Sequence, residues 1–155
     1  MRIEAVGYDH PDARRLIQEV QQEYVVRYGT ADVSSVQVQD FQPPNGLFLV
    51  GYVDGVAVAS GSWRDPGPSD WLRAGDAELK RMYVDPGFRG RGLARGVLGE
   101  LERSASLAGF KRCVLETGTE QPEAIGLYRS CGYEPIAKFG AYREDPLSRC
   151  FGKEI

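Results

Sequence analysis

The fold is decided by residues 78–101, which read ELKRMYVDPGFRGRGLARGVLGEL. This order predicts a strand, a turn at Pro86 and Gly87, a basic glycine-rich loop and then an amphipathic helix. The first amides of a helix lack intrahelical partners, and the helix dipole favours an anion beside them. Gly90 and Gly92 have no Cβ and let a bound group approach the backbone closely. The segment therefore predicts a binding site for a phosphorylated ligand.

The loop matches neither of two common phosphate-binding motifs. A Walker loop ends in Gly-Lys-Ser/Thr, which this chain lacks. A dinucleotide fingerprint needs Gly or Ala where this chain has Arg95, and an acidic residue at the end of the following strand. The pattern that fits is Arg-x-x-Gly-x-Ala, formed by Arg89, Gly92 and Ala94.

A second motif lies downstream at residues 124–133, AIGLYRSCGY. The two motifs resemble those of the GNAT family of N-acetyltransferases, in which the first loop binds the pyrophosphate of acyl-CoA. The family's second segment is Ala-x-x-Leu-Tyr-x-x-x-Gly-Phe/Tyr, and the strand pattern extends the resemblance over nearly the whole chain. The resemblance implies an acetyl-CoA-dependent enzyme with the acyl-CoA N-acyltransferase fold.

The remaining pattern predicts one α/β domain over residues 1–155, in the order β-α-β-β-β-α-β-α-β-β. Asp54-Gly55 joins two apolar runs and predicts a hairpin. A helix separates the strands at 77–84 and 112–116, so we expect these two to be parallel. The resemblance implies that they splay apart, in an otherwise mostly antiparallel mixed sheet flanked by helices. The other predicted strands are 2–6, 46–53, 56–63, 133–136 and 149–153, and the helices run from 9–12 to 28, from 92 to 108 and from 122 to 130.

The composition is typical of a globular protein of one domain. The chain has 155 residues, of which 42% are hydrophobic and 26% are charged. A net charge of −3 gives no reason to expect nucleic-acid binding. No apolar run approaches the roughly 20 residues of a membrane span, so we expect no membrane partner. The N-terminus does not resemble a signal peptide.

Cysteine and histidine usage indicates a cytoplasmic protein without a metal centre. Cys113, Cys131 and Cys150 are odd in number and lack the spacing of a metal site, so we expect reduced thiols. The single histidine, His10, is expected in a loop or a helix cap, which argues against histidine-based catalysis.

The resemblance also implies cofactor contacts. The backbone at the end of the strand would pair with the pantetheine amides and polarise the thioester carbonyl, through Met82, Tyr83 and Val84. The pyrophosphate would lie on the loop, formed by Arg89, Gly90, Arg91, Gly92, Leu93, Ala94 and Arg95. Gln121 stands where many members have Asn, and its amide is expected to reach the cofactor.

Three residues are the candidate catalytic groups. Tyr128 falls on the family's Leu-Tyr position and is expected to protonate the departing thiolate, whose basicity a phenol matches. Glu78 occupies the position of the general base in several members, and strand alternation predicts that it shares one face with Lys80, Met82 and Val84. Glu116, at the end of the next strand, is the rival base or the group that holds the acceptor amine.

The acceptor is the least determined part of the function. In this fold the acceptor groove is formed by the first helix, the loop after it and the closing hairpin, which here hold Glu23, Tyr24, Tyr28, Phe41, Phe139, Tyr142 and Arg143. Such an aromatic, mixed-charge lining favours a small amine or an amino-acid-like acceptor over a basic peptide tail. The expected reaction is direct transfer of the acetyl group to the primary amine of a small molecule. The alternatives are a non-catalytic acyl-CoA-binding domain, acetylation of a protein amine and a nucleotide enzyme, and a homodimer is left open.

Overall fold

A computed structural model, which describes residues 1–155, contains one seven-stranded sheet and three α-helices. The strands are β1 (Arg2–Val6), β2 (Gly46–Val53), β3 (Val56–Arg64), β4 (Asp76–Val84), β5 (Arg112–Gly118), β6 (Glu134–Pro135) and β7 (Ser148–Glu154). The helices are α1 (Pro11–Tyr28), α2 (Leu93–Leu107) and α3 (Pro122–Ser130). The strands lie in the order β1-β2-β3-β4-β5-β7-β6, and every neighbouring pair is antiparallel except β4 and β5. The predicted mixed sheet is confirmed.

Local signals account for most element boundaries. Asp54 and Gly55 both have positive φ, as a tight two-residue hairpin turn requires, and they connect β2 to β3. His10 caps α1, because its Nδ1 accepts a hydrogen bond from the amide of Asp12 at 3.1 Å. Gly29 ends the same helix in the left-handed conformation. The expected capping role of His10 and the predicted span of α1 are confirmed.

The helices cover the two faces of the sheet and bury a core on each. On one face α1 buries Leu16 and Val20 against Phe48 and Val50 of β2. The other face packs on α2 through an apolar stripe formed by Leu93, Val97, Leu98, Leu101 and Ala105. None of the helices combines the length and the apolar character that crossing a membrane requires.

The parallel pair β4–β5 is joined only at its beginning. The paired residues run from Asp76–Arg112 to Glu78–Val114, and no pairing continues beyond them. Arg112 donates two hydrogen bonds to the Asp76 carboxylate, at 2.8 and 2.7 Å, which fixes this end of the pair. The strands then part, as the family resemblance implied, and leave a cleft between their C-terminal halves.

A bulge in β4 overturns one prediction made from strand alternation. The register against β3 shifts between Ser60 and Ser62, and Arg81 has a φ of 59°. The extra residue reverses the faces of the strand beyond it. Lys80 and Arg81 therefore both point to the α1 face, where they pair with one carboxylate. The expectation that Glu78 and Lys80 share a face with Met82 and Val84 is wrong.

The evidence for the reversal is the packing of Met82 and Val84. Both contact the core under α2 rather than the core under α1. A Cβ added to Gly61 of β3 would lie 2.6 Å from Met82 Sδ and 2.8 Å from Val97 Cγ1, so Met82 is pressed against α2. No glycine marks the bulge in β4 itself, so alternation alone did not reveal it.

Candidate active site

The loop between β4 and α2 has the geometry of an anion site. Gly90 and Gly92 both adopt a φ of 78°, which side chains with a Cβ rarely tolerate. A Cβ at either position would meet no protein atom within 4 Å, so the space beside the loop is open. The amides of Leu93 to Arg95, which open α2, donate no hydrogen bond to the surrounding loops. The loop therefore presents unpaired donors to open space.

The loop arginines differ in what they contact. Arg89 is engaged, since its Nε donates to the Val84 carbonyl at 2.9 Å and its Nη2 to Glu23 Oε1 at 2.6 Å. Arg95 bridges to α3 by donating to Ser130 Oγ at 2.8 Å. Arg91 lies over the ring of Phe88, 4.9 Å from the ring centroid. Its charge is thus the one least committed to partners within the chain.

The end of β4 leaves one backbone edge open. Tyr83 and Val84 pair with Ser60 and Ala59 of β3, whereas the edge that faces β5 has no partner strand beyond Glu78. Peptide groups on such an edge are available to pair with an extended ligand that carries amides.

A cavity of about 170 Å³ lies beside this cleft. Its walls come from the end of α1 with residues 30–32, from the end of β5, and from residues 142–148 before β7. Tyr24, Tyr28 and Tyr142 supply aromatic surface, and Glu116 of β5 supplies a carboxyl group. The cavity lies where the resemblance placed the acceptor groove.

Glu116 has the properties of a carboxyl group tuned toward neutral pH. Burial raises its pKa to about 7, and the nearby charges of Glu78 and Asp32 act in the same direction. Lys80 and a hydrogen bond from Ser148 Oγ, 3.2 Å from Glu116 Oε2, partly oppose this. A carboxyl group of this kind exchanges a proton readily near pH 7.

Comparison with known proteins establishes the family. Residues 13–133 match the model of the acetyltransferase (GNAT) family. The chain belongs to the GNAT family. It is 33% identical over 141 residues to an IAA acetyltransferase of Azospirillum brasilense, covering 91% of this chain and 89% of that protein. The predicted acetyltransferase activity is thereby confirmed.

Solved structures agree with the GNAT fold. A Klebsiella pneumoniae protein assigned as an acyl-CoA N-acyltransferase is 29% identical, with a TM-score of 0.76 over 99% of this chain and 96% of that one. The PaiA N-acetyltransferase of Thermoplasma acidophilum, crystallised with coenzyme A, is 17% identical with a TM-score of 0.72 over the full length of both chains. The second likeness concerns the fold alone. In the GNAT chain described here, no group of three or more His, Cys, Asp or Glu side chains is placed to hold a metal ion.

Tyr128, the candidate acid, is almost fully enclosed in this GNAT chain. Its side chain belongs to the core under α2 and meets Tyr133 edge to face, with ring centroids 5.7 Å apart. Burial, with smaller effects from Tyr24 and Cys131, raises its pKa well above the usual range. The hydroxyl keeps its proton at neutral pH, as an ordinary phenol also does, and burial makes it a weaker acid than the sequence led us to expect.

Glu78, the first candidate base, lies outside the cavity and is held by cations. Its Oε1 accepts a hydrogen bond from Arg64 Nε at 2.9 Å, and its Oε2 lies 4.0 Å from Lys80 Nζ. The side chain is only 8% exposed. Of the two carboxyl groups singled out from the sequence, the structure brings only Glu116 to the cavity.

The predicted acceptor residues divide into two groups. Tyr24, Tyr28 and Tyr142 line the cavity. Phe41 and Phe139 are core residues and do not reach it, because their side chains are enclosed in separate apolar clusters.

The two charged candidates for the acceptor groove are committed elsewhere. Glu23 pairs with Arg89 of the phosphate loop. Arg143 lies over the ring of Trp71, 4.7 Å from the ring centroid. Neither side chain lines the cavity.

Gln121 is placed at the meeting point of cavity and cleft. Its Oε1 accepts a hydrogen bond from the Tyr28 hydroxyl at 3.1 Å, and Thr117 Oγ1 lies 3.5 Å away. It also precedes α3 directly. Its expected contact with the cofactor stays a prediction.

Sequence reasoning missed Asp32, Lys80 and Ser148 as cavity residues. Asp32 lies in a polar irregular segment, and only the folded chain brings it to Lys80 and Arg81, 48 and 49 residues away. The one signal in the sequence that could have indicated Lys80 was its position on β4, two residues after Glu78.

Proposed function

We propose that this GNAT enzyme transfers the acetyl group of acetyl-CoA directly to the primary amine of a small molecule bound in the cavity. The observation that carries the proposal is Glu116: a half-buried carboxyl group, with a pKa of about 7, in the wall of a half-open pocket beside the cleft. An acceptor amine must lose a proton, and this group is able to take it.

The chain has the features that an acyl-CoA requires. Open space and unpaired amides at the start of α2 suit a diphosphate, with Gly90 and Gly92 keeping the approach clear. The unpaired edge of β4 beyond Glu78 suits a ligand with amide groups. When bound, acetyl-CoA supplies the acetyl group as a reactive thioester.

We assign the role of base to Glu116 rather than Glu78. An alkylammonium has a pKa near 10, so only about 0.1% of it is neutral at pH 7. The ionised Glu116 carboxylate would accept the proton of the ammonium, directly or through one water. Glu78 lies outside the cavity, and its Oε1 is already bonded to Arg64 Nε at 2.9 Å.

Tyr128 is proposed to return a proton on the other side of the reaction. Its phenol is protonated at moderate pH values, and burial raises its pKa further. The acceptor nitrogen loses two protons in becoming an amide. The first goes from the ammonium to Glu116 before attack, and the second, lost from the nitrogen as the C–S bond breaks, restores the proton that Tyr128 gives to the departing sulfur. Glu116 then releases its proton to solvent. A covalent acetyl-enzyme is not needed in this scheme.

The small size of the cavity, about 170 Å³, supports a small acceptor over a protein amine. Residues 30–32 and 142–148 form part of its wall, and they are tied together where the Tyr142 hydroxyl donates to Asp32 Oδ1 at 3.1 Å. All three cysteines are free thiols: Cys113 and Cys150 are buried, and Cys131 is half-buried. Free thiols support the proposal that the enzyme is cytoplasmic.

The test is to incubate the enzyme with acetyl-CoA and each member of a panel of primary amines, and to measure the free thiol that is released. The proposal expects release that depends on both acetyl-CoA and the amine. Calorimetry with acetyl-CoA on the same sample separates the alternatives. Tight binding without thiol release on any amine would favour a non-catalytic binding domain and refute the proposal.

A further inference from the structure

Six acidic and basic side chains form one continuous series of ion pairs, in which negative and positive charges alternate and which reaches the wall of the cavity. The order is Asp40, Arg64, Glu78, Lys80, Asp32, Arg81. Arg64 lies 3.0 Å from Asp40 Oδ2 and 2.9 Å from Glu78 Oε1. Lys80 Nζ lies 4.0 Å from Glu78 Oε2 and 3.4 Å from Asp32 Oδ2, and Arg81 lies 3.0 Å from Asp32 Oδ2. We refer to this set as the six-charge chain.

The six-charge chain leaves no spare positive charge. Three cations face three carboxylates, and only Asp32 and Lys80 reach the cavity wall. Lys80 is the single cation among the residues that line the cavity, and its ammonium also donates to Ser34 Oγ at 2.8 Å. Among the residues that line the cavity, an incoming carboxylate would therefore find no unpaired Lys or Arg.

The remaining charge at the cavity is negative. Glu116 is not a member of the six-charge chain and is half-buried in the wall. Asp145 is exposed at the rim, where its Oδ1 accepts a hydrogen bond from the amide of Leu147 at 2.8 Å. Lys138 Nζ donates to its backbone carbonyl at 2.9 Å, but its carboxylate forms no ion pair with a Lys or Arg. The aromatic lining stays neutral, since burial raises the pKa of Tyr24 to about 12.

We infer that the acceptor is a small primary amine without a carboxylate, so that amines are acetylated and the matching α-amino acids are not. An ammonium group is attracted by Glu116, by Asp145 and by the faces of the tyrosine rings. A carboxylate on the acceptor would lose its water in the cavity, gain no cationic partner and lie close to two carboxyl groups. This inference rests on the proposed function and decides between the simple amine and the amino-acid-like acceptor.

The test compares matched pairs that differ by one carboxylate: tyramine with tyrosine, phenethylamine with phenylalanine, and isobutylamine with valine. We expect kcat/KM to favour the amine by at least about 100-fold in each active pair, as sites do when a buried polar group is left without a partner. Tyrosinamide is the control for size, and it should be accepted within about tenfold of tyramine. Equal or better turnover of the amino acids would overturn the inference while the proposed function stands. No turnover of any compound would overturn both.

A charge series at the rim tests the electrostatic cause. Asp145→Asn and Asp145→Lys alter an exposed side chain, and the Asn variant retains an oxygen for the amide of Leu147. The preference for tyramine over tyrosine should fall stepwise from wild type to Asn to Lys, by a few-fold per step, and less so at high salt. A preference that is the same in all three proteins would contradict the electrostatic explanation.

Discussion

Replacing Glu116 with Gln should remove the base while keeping the shape of the cavity. A carboxyl group with a pKa of about 7 is roughly half ionised at pH 7, so wild-type enzyme has both the basic and the acidic form available. A positioned general base typically contributes about 10²–10⁴-fold to the rate. We therefore expect Glu116→Gln to lower kcat/KM for the amine at pH 7 by at least about 100-fold.

The dependence on pH should differ between the two proteins. Wild-type kcat/KM requires ionised Glu116 and the ammonium form of the acceptor, so it should fall below pH 7 and again above the amine pKa near 10. The groups that act on Glu116 from β4, β7 and the loop after α1 are Lys80, Glu78, Ser148 and Asp32. The variant depends on free neutral amine alone, so its rate should rise about tenfold per pH unit up to pH 10. The ratio between the two proteins should be largest below pH 7, where both rates rise with pH, and should shrink about tenfold per pH unit between pH 7 and 10.

Stability gives an independent readout of the same carboxyl group. Its pKa in the folded state lies above the ordinary value of 4.5, so the native state binds the proton more tightly than the unfolded chain does. The contribution of Glu116 to the free energy of unfolding should therefore be fully present below about pH 4.5 and should be lost as the pH rises through 7. Because Glu116 is partly exposed, the loss should be about 2 kcal/mol or less. Glu116→Gln should match wild type in urea denaturation at pH 4.5 and exceed it at pH 8.

Asp145→Asn is the matched control, since it removes a second carboxylate from the same cavity at an exposed position. Its kcat/KM for tyramine should stay within a few-fold of wild type, with an unchanged pH profile. A folded Glu116→Gln variant that keeps wild-type kcat/KM at pH 7, and the level wild-type rate between pH 7 and 10, would refute the assignment of Glu116 as the base.

Three further substitutions test the rest of the site. Gly92→Val places a side chain where φ is 78°, which costs about 1–2 kcal/mol of stability. Calorimetry should show that the variant binds acetyl-CoA at least about tenfold more weakly. Equal affinity would show that the loop does not bind the cofactor. Tyr128→Phe should lower kcat by roughly 10²-fold with little change in the KM for acetyl-CoA, and an unaltered kcat would leave Tyr128 a packing residue. Glu78→Gln should cost about 1–3 kcal/mol in urea denaturation, because Arg64 and Lys80 lose a buried partner. The pH profile of kcat/KM should keep its two limbs, with the acid limb moved to lower pH, because the charge of Glu78 helps to raise the pKa of Glu116.

The fold was readable from the sequence because its signals are local. The Asp54-Gly55 turn, the glycine that ends α1 and the strand–loop–helix order around Gly92 each act within a few residues. Two elements were less visible. The 3₁₀ helix at Val38–Phe41 carries no strong propensity signal, and β6 is reduced to Glu134–Pro135.

The sequence predicted only the part of the site that is formed by the backbone. The phosphate loop needs glycines at fixed positions, so its sequence shows it directly. The acid–base assignment depends on burial and on partners distant in the chain: Glu78 is held by Arg64 of β3, whereas Glu116 faces the cavity. The bulge at Arg81 decides which β4 side chains reach the α1 face, and no residue type marks it in advance.

The most direct test of the account is to measure thiol release and N-acetylated product in one reaction of the enzyme with acetyl-CoA and tyramine at pH 7. Mass spectrometry would quantify the acetylated amine and would examine the intact protein for a retained acetyl group. The account predicts equal amounts of thiol and acetyltyramine, no acetylated enzyme, and a loss of both products by at least about 100-fold in Glu116→Gln. Thiol release without acetylated amine, or the same product yield from Glu116→Gln, would contradict it.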